Sequence, residues 1–277
     1  MIKYIATDLD GTLFYPKDKK NIISKSNLFF LQSFIDDGGK IVLVSGRSID
    51  YGKKVIEKIG RECAIIGYNG AVIYDNKEII KDTPIPREEI EQIINDSMNI
   101  YKLPAVLLMS NSGIHVHFRK NSRFLRWCYL TYNKKMGIYA EKIASNDYNL
   151  EDTLKNTEIY KIMLFVGITK KKINQAREMN KVFRNAYSNL ESSWSNEVIE
   201  VTLKGSSKGE AVKEYCQLKQ ISPDEIAVVG DSGNDISMFK EYQDNSFCMS
   251  HAPKSIQKYA KFTIDKFEDL SRYLLKK

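Results

Sequence analysis

The chain has 277 residues, 43% hydrophobic and 28% charged, an ordinary globular composition with enough length for one large or two small domains. Its formal net charge is +7, but the basic residues are scattered, which argues against a nucleic-acid face and suits a protein that attracts small phosphorylated anions. The four cysteines, Cys63, Cys128, Cys216 and Cys248, show no C-x-x-C spacing, and no stretch reads as a membrane span or secretory leader, so neither disulfide framework, zinc site nor membrane partner is expected, and a cytoplasmic location is.

Residues 2–8 form an apolar strand, followed by a helix over 24–37 with Leu28, Leu31 and Ile35 on one side and Ser24 or Ser26 as N-cap, closed by Gly38-Gly39. A strand over 40–44, a helix over 48–59 and a strand over 64–66 continue the alternation, which predicts a parallel, doubly wound sheet. From about residue 82 the texture changes. Pro86 opens a helix over 87–98, strands 104–109 and 113–119 flank a hairpin at Asn111-Ser-Gly113, and a polar, Lys- and Tyr-rich stretch leads to a strand at 158–166. A helix near 170–183 and strands near 185–190 and 197–202 complete a separate α+β module. The first texture then returns: a helix over 207–219, a strand over 226–229, a helix over 234–241, strands near 245–249 and 261–264, and a terminal helix near 266–275. The expected architecture is an α/β, Rossmann-like doubly wound core from residues 1–82 and 193–277, with an inserted α+β cap domain over 83–192.

Four strand or helix ends carry polar residues that point to chemistry. After the first strand, Asp8 and Asp10 leave the same face, and Gly11 permits a sharp turn. Two carboxylates that close repel each other unless a hard cation lies between them, so the pair reads as a metal site with one carboxylate free to act as nucleophile. The same residues also read as an apolar strand ending in an Asp-Gly turn, whereas a calcium loop fails because Thr12-Leu13-Phe14-Tyr15 lacks further oxygen ligands. After the second strand, Ser45-Gly46-Arg47 offers a hydroxyl, backbone N–H groups and a guanidinium for phosphate oxygens. After the strand at 226–229, Gly230-Asp231-Ser232-Gly233-Asn234-Asp235 adds two carboxylates one helical turn apart. Finally, Lys208-Gly209 opens a helix, an odd place for a lysine on stability grounds but a sensible one for gripping phosphate. It is not a Walker loop, and no dinucleotide fingerprint is present.

Together Asp8-x-Asp10-Gly11-Thr12, Ser45-Gly46-Arg47, Lys208-Gly209 and Gly230-Asp-Ser-Gly-Asn-Asp235 resemble the four ordered motifs of the haloacid dehalogenase superfamily, and of its Cof-type branch in particular. Asn69-Gly70-Ala71 and Met249-Ser-His-Ala252 add to the likeness, although His251 stands where such relatives usually carry Asn.

The resemblance implies a phosphoric monoester hydrolase dependent on Mg2+ and acting on a small phosphorylated metabolite, such as a sugar phosphate. By it, Asp8 is the nucleophile that forms an aspartyl-phosphate, and Asp10 protonates the leaving alcohol and then deprotonates water. The ion is held by Asp8, the Asp10 backbone carbonyl and Asp231, with Asp235 in support. Ser45 and Lys208 grip the phosphoryl group, Leu9, Gly11 and Gly46 join the substrate-binding set, and Arg47 and Asn234 orient substrate or motif loops. The insertion closes over the site and selects the leaving group. A phosphomutase or phosphotransferase of the same superfamily is the alternative, and a receiver-like or degenerate anion-binding module the third reading. A monomer or weak homodimer is expected. His115 and His117 share one face of a strand in the insertion, where a partly exposed surface role is favoured over metal binding.

Overall fold

The computed structural model describes residues 1–17, 20–119, 123–144, 150–167, 170–195 and 198–274. The chain divides into two units, Met1–Asp82 with Ser207–Lys277, and Thr83–Ser206. In chain order the first unit opens with β1 (Tyr4–Thr7), α1 (Lys25–Asp36), β2 (Lys40–Val44), α2 (Ile49–Ile59), β3 (Ala64–Gly67), β4 (Val72–Asp75) and β5 (Glu78–Asp82). The second unit holds α3 (Arg87–Asn95), β6 (Ala105–Ser110), β7 (Gly113–Phe118), α4 (Arg123–Met136), α5 (Leu150–Asn156), β8 (Ile159–Phe165), α6 (Lys170–Ala186), β9 (Leu190–Ser195) and β10 (Val198–Leu203). The return to the first unit brings α7 (Lys208–Lys219), β11 (Ile226–Gly230), α8 (Ile236–Glu241), β12 (Ser246–Met249), α9 (Lys254–Gln257), β13 (Phe262–Ile264) and α10 (Ser271–Leu274).

The first unit is an α/β fold on an eight-stranded sheet in the order β13-β12-β11-β1-β2-β3-β4-β5. Its first six strands are parallel, and β4 and β5 finish it as an antiparallel hairpin. Such strands are covered on both faces, so Ile5-Ala6-Thr7, Ile41–Val44 and Ile226–Gly230 are continuously buried rather than alternating. On one face Ala6, Val42, Val44, Ile66 and Val228 meet Ala211, Val212, Met238 and Phe239 of α7 and α8. On the other, α2 comes so close that a Cβ on Gly52 would lie 2.7 Å from the Ile65 side chain. The chain winds outward from β1 in both directions, first through β2 and β3, then through β11, β12 and β13. A crevice therefore opens at the carboxyl ends of β1, β2 and β11, where the winding reverses.

The second unit is a five-stranded antiparallel sheet, β7-β6-β8-β10-β9, with α3 and α6 packed on one face. Ile90, Ile93, Ala176 and Phe183 of those helices bury Val106, Leu108, Ile162, Leu164, Ile199 and Val201. Among the described residues no helix is long and apolar enough to cross a membrane.

The structure departs from the sequence expectations in four places. The inserted unit runs to Ser206 rather than 192, because β9 and β10 pair with each other, and β10 with β8, in its sheet. The strand expected near 185–190 is instead the end of α6, a turn, and the start of β9 at Leu190. The β4–β5 hairpin was not foreseen: its turn residues Asn76 and Lys77 both take positive φ, 50° and 67°, without the glycine that usually signals such a turn. The polar stretch after β7, to which the sequence reading assigns no element, contains α4 and α5. Residues 197 and 275, at the ends of two expected elements, lie outside the described residues.

The loop after β1 is held from beneath by α1. Ser24 caps that helix by accepting from the Asn27 backbone N–H, and the buried Asn27 side chain donates to the carbonyls of Leu13 and Tyr15 at 2.9 and 3.0 Å. Replacing Asn27 with alanine removes both donors and should cost about 1–3 kcal/mol in urea unfolding, whereas a loss under about 0.5 kcal/mol would mean the loop closes without it.

Candidate active site

The residues that stand out in the sequence gather at the carboxyl rim of β1, β2 and β11. Asp8 leaves β1 with its N–H donating to the carbonyl of Val229 at 2.9 Å, and Thr7 donates its hydroxyl to the Asp8 carbonyl at 2.8 Å. Gly11 has φ +84°, and a Cβ there would lie 2.3 Å from Oδ2 of Asp231, so only glycine lets the β1 loop and the β11 loop approach this closely. Lys208 is the first residue of α7, behind the N-cap Ser207. Its neighbour Gly209 abuts α8: an added Cβ would lie 2.4 Å from the Ser237 carbonyl oxygen, and the Gly209 N–H donates to the Ser237 hydroxyl at 3.0 Å. Helix contact thus sets where the lysine side chain begins.

Lys208 is 1% exposed, and its ammonium donates to Oδ1 of Asp8 and Oδ1 of Asp235, each at 2.6 Å. Burial works against its charge, but Asp235 and Asp8 outweigh it and raise the ammonium pKa above its ordinary value. Asp235 has both oxygens engaged, because Oδ2 also accepts from the N–H groups of Asp231 and Ser232 and from the Ser232 hydroxyl at 2.9–3.0 Å. Asp8 does not: Oδ2 is buried with no hydrogen-bond partner. Burial pushes the Asp8 carboxyl up, Lys208 offsets part of that, and the charges of Asp235 and Asp231 push further upward. Asp231 is raised to about 6, by burial first and by Asp235 second.

Carboxylate oxygens of Asp8, Asp231 and Asp235 all lie within 4.8 Å of one another. Three carboxylates and one ammonium leave two negative charges in a largely buried space, beside an oxygen that nothing satisfies. A divalent cation with hard oxygen ligands matches both the charge and the unmet acceptor.

The Asp10 carboxylate stands outside this group, although the sequence expectation placed it among the metal residues. The Arg47 guanidinium grips it through Nε at 2.5 Å and Nη2 at 2.8 Å, and only its backbone carbonyl is left for such a role. Burial alone would raise the Asp10 carboxyl, but the hydrogen bonds and charge of Arg47 hold it below its ordinary value. Arg47 also lies over the Tyr51 ring, 4.1 Å from its centroid. The two acids two residues apart therefore have opposite proton affinities.

Ser45 is buried at the end of β2; its hydroxyl accepts from the Arg47 N–H at 3.3 Å, and its carbonyl accepts from Asn69 at 3.0 Å. Gly46 lies between Ser45 and Arg47 in that loop, while the Leu9 side chain is buried in the core, so these two can meet a ligand only through their backbone. Asn234 donates to the Asn69 side chain at 3.2 Å, tying the β11 loop to the turn after β3. The sequence does not reveal the Arg47–Asp10 pair or the Tyr51 platform, and it marks His251 only as a departure from the usual Asn, without the contact in which its Nε2 lies 3.5 Å from Oδ2 of Asp231. No sequence pattern marks these contacts, since each joins residues from separate loops or depends on side-chain direction. His115 and His117 lie in the second unit, on the helix-covered side of its sheet; His115 is within 3.0–3.1 Å of the Ser110 and Ser112 hydroxyls, and burial lowers both imidazoles below their ordinary value. Neither joins a group of potential metal ligands among the described residues.

Comparison with known proteins places these features in a family. The 5-amino-6-(5-phospho-D-ribitylamino)uracil phosphatase YwtE of Bacillus subtilis is 26% identical over 285 residues, covering 94% of this chain and 92% of that protein. The pyridoxal phosphate phosphatase YbhA of Escherichia coli is 22% identical over 267 residues, covering 95% and 93%. Among solved structures, a haloacid dehalogenase-like hydrolase from B. subtilis superposes with a TM-score of 0.79 at 21% identity, covering 99% of this chain and all of that one. The family model for haloacid dehalogenase-like hydrolases matches residues 5–271, and the chain belongs to that family.

Proposed function

We propose that this chain is a Mg2+-dependent phosphatase that hydrolyses small phosphomonoesters, sugar phosphates or related metabolites, through an aspartyl-phosphate on Asp8. The observation that carries this reading is the state of Asp8: one oxygen is held by a buried ammonium and the other is buried without a partner. The relatives named above act, by their names, on a ribityl phosphate and on pyridoxal phosphate, both small monoesters.

Asp8 and Asp231 would hold the ion, with the Asp10 carbonyl, while Asp235 buttresses Lys208 and the β11 loop. Bound there, the ion supplies charge neutralisation between an anionic nucleophile and an anionic phosphate. In the first step an Asp8 carboxylate oxygen bonds to phosphorus as the bond to the alcohol oxygen breaks, and Asp10 gives that oxygen a proton. In the second step Asp10 takes a proton from water, whose oxygen attacks phosphorus and frees Asp8 and inorganic phosphate. Lys208, the Ser45 hydroxyl and the loop N–H groups of Leu9, Gly11 and Gly46 hold the phosphoryl oxygens, and Asn234 and Arg47 keep the loops in register. Arg47 favours the ionised Asp10 that the second step needs; the protonated form needed first requires their contact to loosen.

Phosphate release from a panel of phosphorylated metabolites should require Mg2+ and no acceptor alcohol. Asp8→Asn should lower turnover at least about a thousand-fold with the fold intact by circular dichroism, and undiminished turnover in that variant would reject the mechanism. Asp10→Asn should slow turnover by about a hundred-fold or more while phosphate binding, followed by inhibition, changes little.

Asp231 offers a second check. Its folded pKa, about 6, lies above the ordinary 3.8, so its favourable contribution is complete below about pH 4 and disappears as pH rises through about 6. In chelator, wild type should lose thermal stability relative to Asp231→Asn between about pH 4 and about pH 7, by on the order of 3 kcal/mol. Mg2+ added at pH 7 should restore wild type only; parallel pH curves with no Mg2+ response would remove the cation from the site.

A further inference from the structure

Lys208 reaches Asp8 and Asp235, so Asp231 depends on other neighbours for its orientation. The Thr12 hydroxyl donates to Oδ1 at a long 3.4 Å, and His251 Nε2 faces Oδ2 at 3.5 Å. An aspartate carboxyl has a broad, two-fold rotation about its last torsion, so two weak contacts on opposite oxygens decide where its free lone pairs point.

His251 is fixed independently of Asp231. Its ring stacks on Tyr15, with centroids 4.0 Å apart and planes 25° from parallel. Tyr15 is itself anchored, since its N–H donates to the Thr12 carbonyl at 3.1 Å and its carbonyl accepts from Asn27 at 3.0 Å. The turn that carries His251 is held on both sides of the residue: the Gln257 amide donates to the carbonyls of Ser250 at 2.8 Å and Ala252 at 2.7 Å. The Ser250 N–H in turn donates to Ile264 at 2.8 Å. An imidazole clamped by a ring on one face and by its own turn from behind is an aiming device rather than a loose surface side chain.

We propose that His251, held flat against Tyr15, is a positioning residue for Asp231: its ring nitrogen sets the rotation of that carboxylate so that Asp231 and Asp8 face a divalent cation together. This rests on the metal reading of the proposed function. Groups that orient a ligating carboxylate by hydrogen bonding change metal affinity without touching the metal.

The test is Mn2+ binding to the full chain, read by electron paramagnetic resonance, with Mg2+ added as competitor. His251→Leu fills the same space without a donor and should weaken binding about tenfold or more, whereas His251→Gln returns an amide nitrogen near the Nε2 position and should stay within about threefold of wild type. Tyr15→Leu, which removes the stacked ring, should weaken binding several-fold, and Tyr15→Phe, which keeps it, should not. His251→Leu binding like wild type, or His251→Gln as weak as His251→Leu, overturns the proposal, because the ring would then act by packing alone. Asp231→Asn separates the two readings. If it binds Mn2+ like wild type, the metal site itself is wrong; if it loses binding while His251→Leu keeps it, only the role of His251 falls.

Discussion

A lysine ammonium buried between two carboxylates, at 2.6 Å from each, is the contact on which the rest of this site depends. Charges this deep are costly unless compensated, and removing one partner of such a set leaves the others unpaired. Lys208 joins pieces of chain 200 and 27 residues away, so the rim of the sheet closes only when the N-terminal strand, the helix after the insertion and the β11 loop are all in place. Asp235 shows the same economy. One oxygen holds the lysine and the other ties down the loop N–H groups, so Asp231 projects from a loop braced by its own neighbour.

Topology puts these groups within reach of one another. Winding in both directions from β1 leaves β2 on one side and β11 on the other, each delivering a polar loop to the same end. Asp10 and Arg47 form a separate neutral pair from the first two loops, while Asp8, Asp231, Asp235 and Lys208 form an anionic set from the first and the last two pieces. Splitting the acids this way gives Asp8 and Asp10 opposite shifts at a spacing of two residues: burial and the neighbouring carboxylates raise Asp8, while Arg47 lowers Asp10.

Much of this was readable from the residues alone. Buried parallel strands announce themselves as short apolar runs ending in polar turns, and Asp8, Ser45 and Asp231 sit at such ends, while Lys208 stands out as a lysine at the start of a helix. What could not be read has identifiable causes. Asn76-Lys77 makes a left-handed turn without glycine, so the β4–β5 hairpin left no mark. The helix α4 leaves Trp127 mostly exposed, so an apolar stripe facing a core does not reveal it. The end of the insertion escapes local patterning because β10 pairs with β8, about 35 residues earlier, and carries β9 into the same sheet as its edge. Asp10 looked like a member of the acidic cluster because proximity in sequence shows which side a carboxylate leaves from, not that a guanidinium from the next loop will claim it.

The meeting of Gly209 with Ser237 has a mechanical corollary. With no room for even a methyl group between them, the start of α7 and the start of α8 form one splint, and the lysine on one and Asp235 at the foot of the other cannot drift apart by small helix slides. The wall of the crevice on the β11 side is thereby stiffened against small displacements.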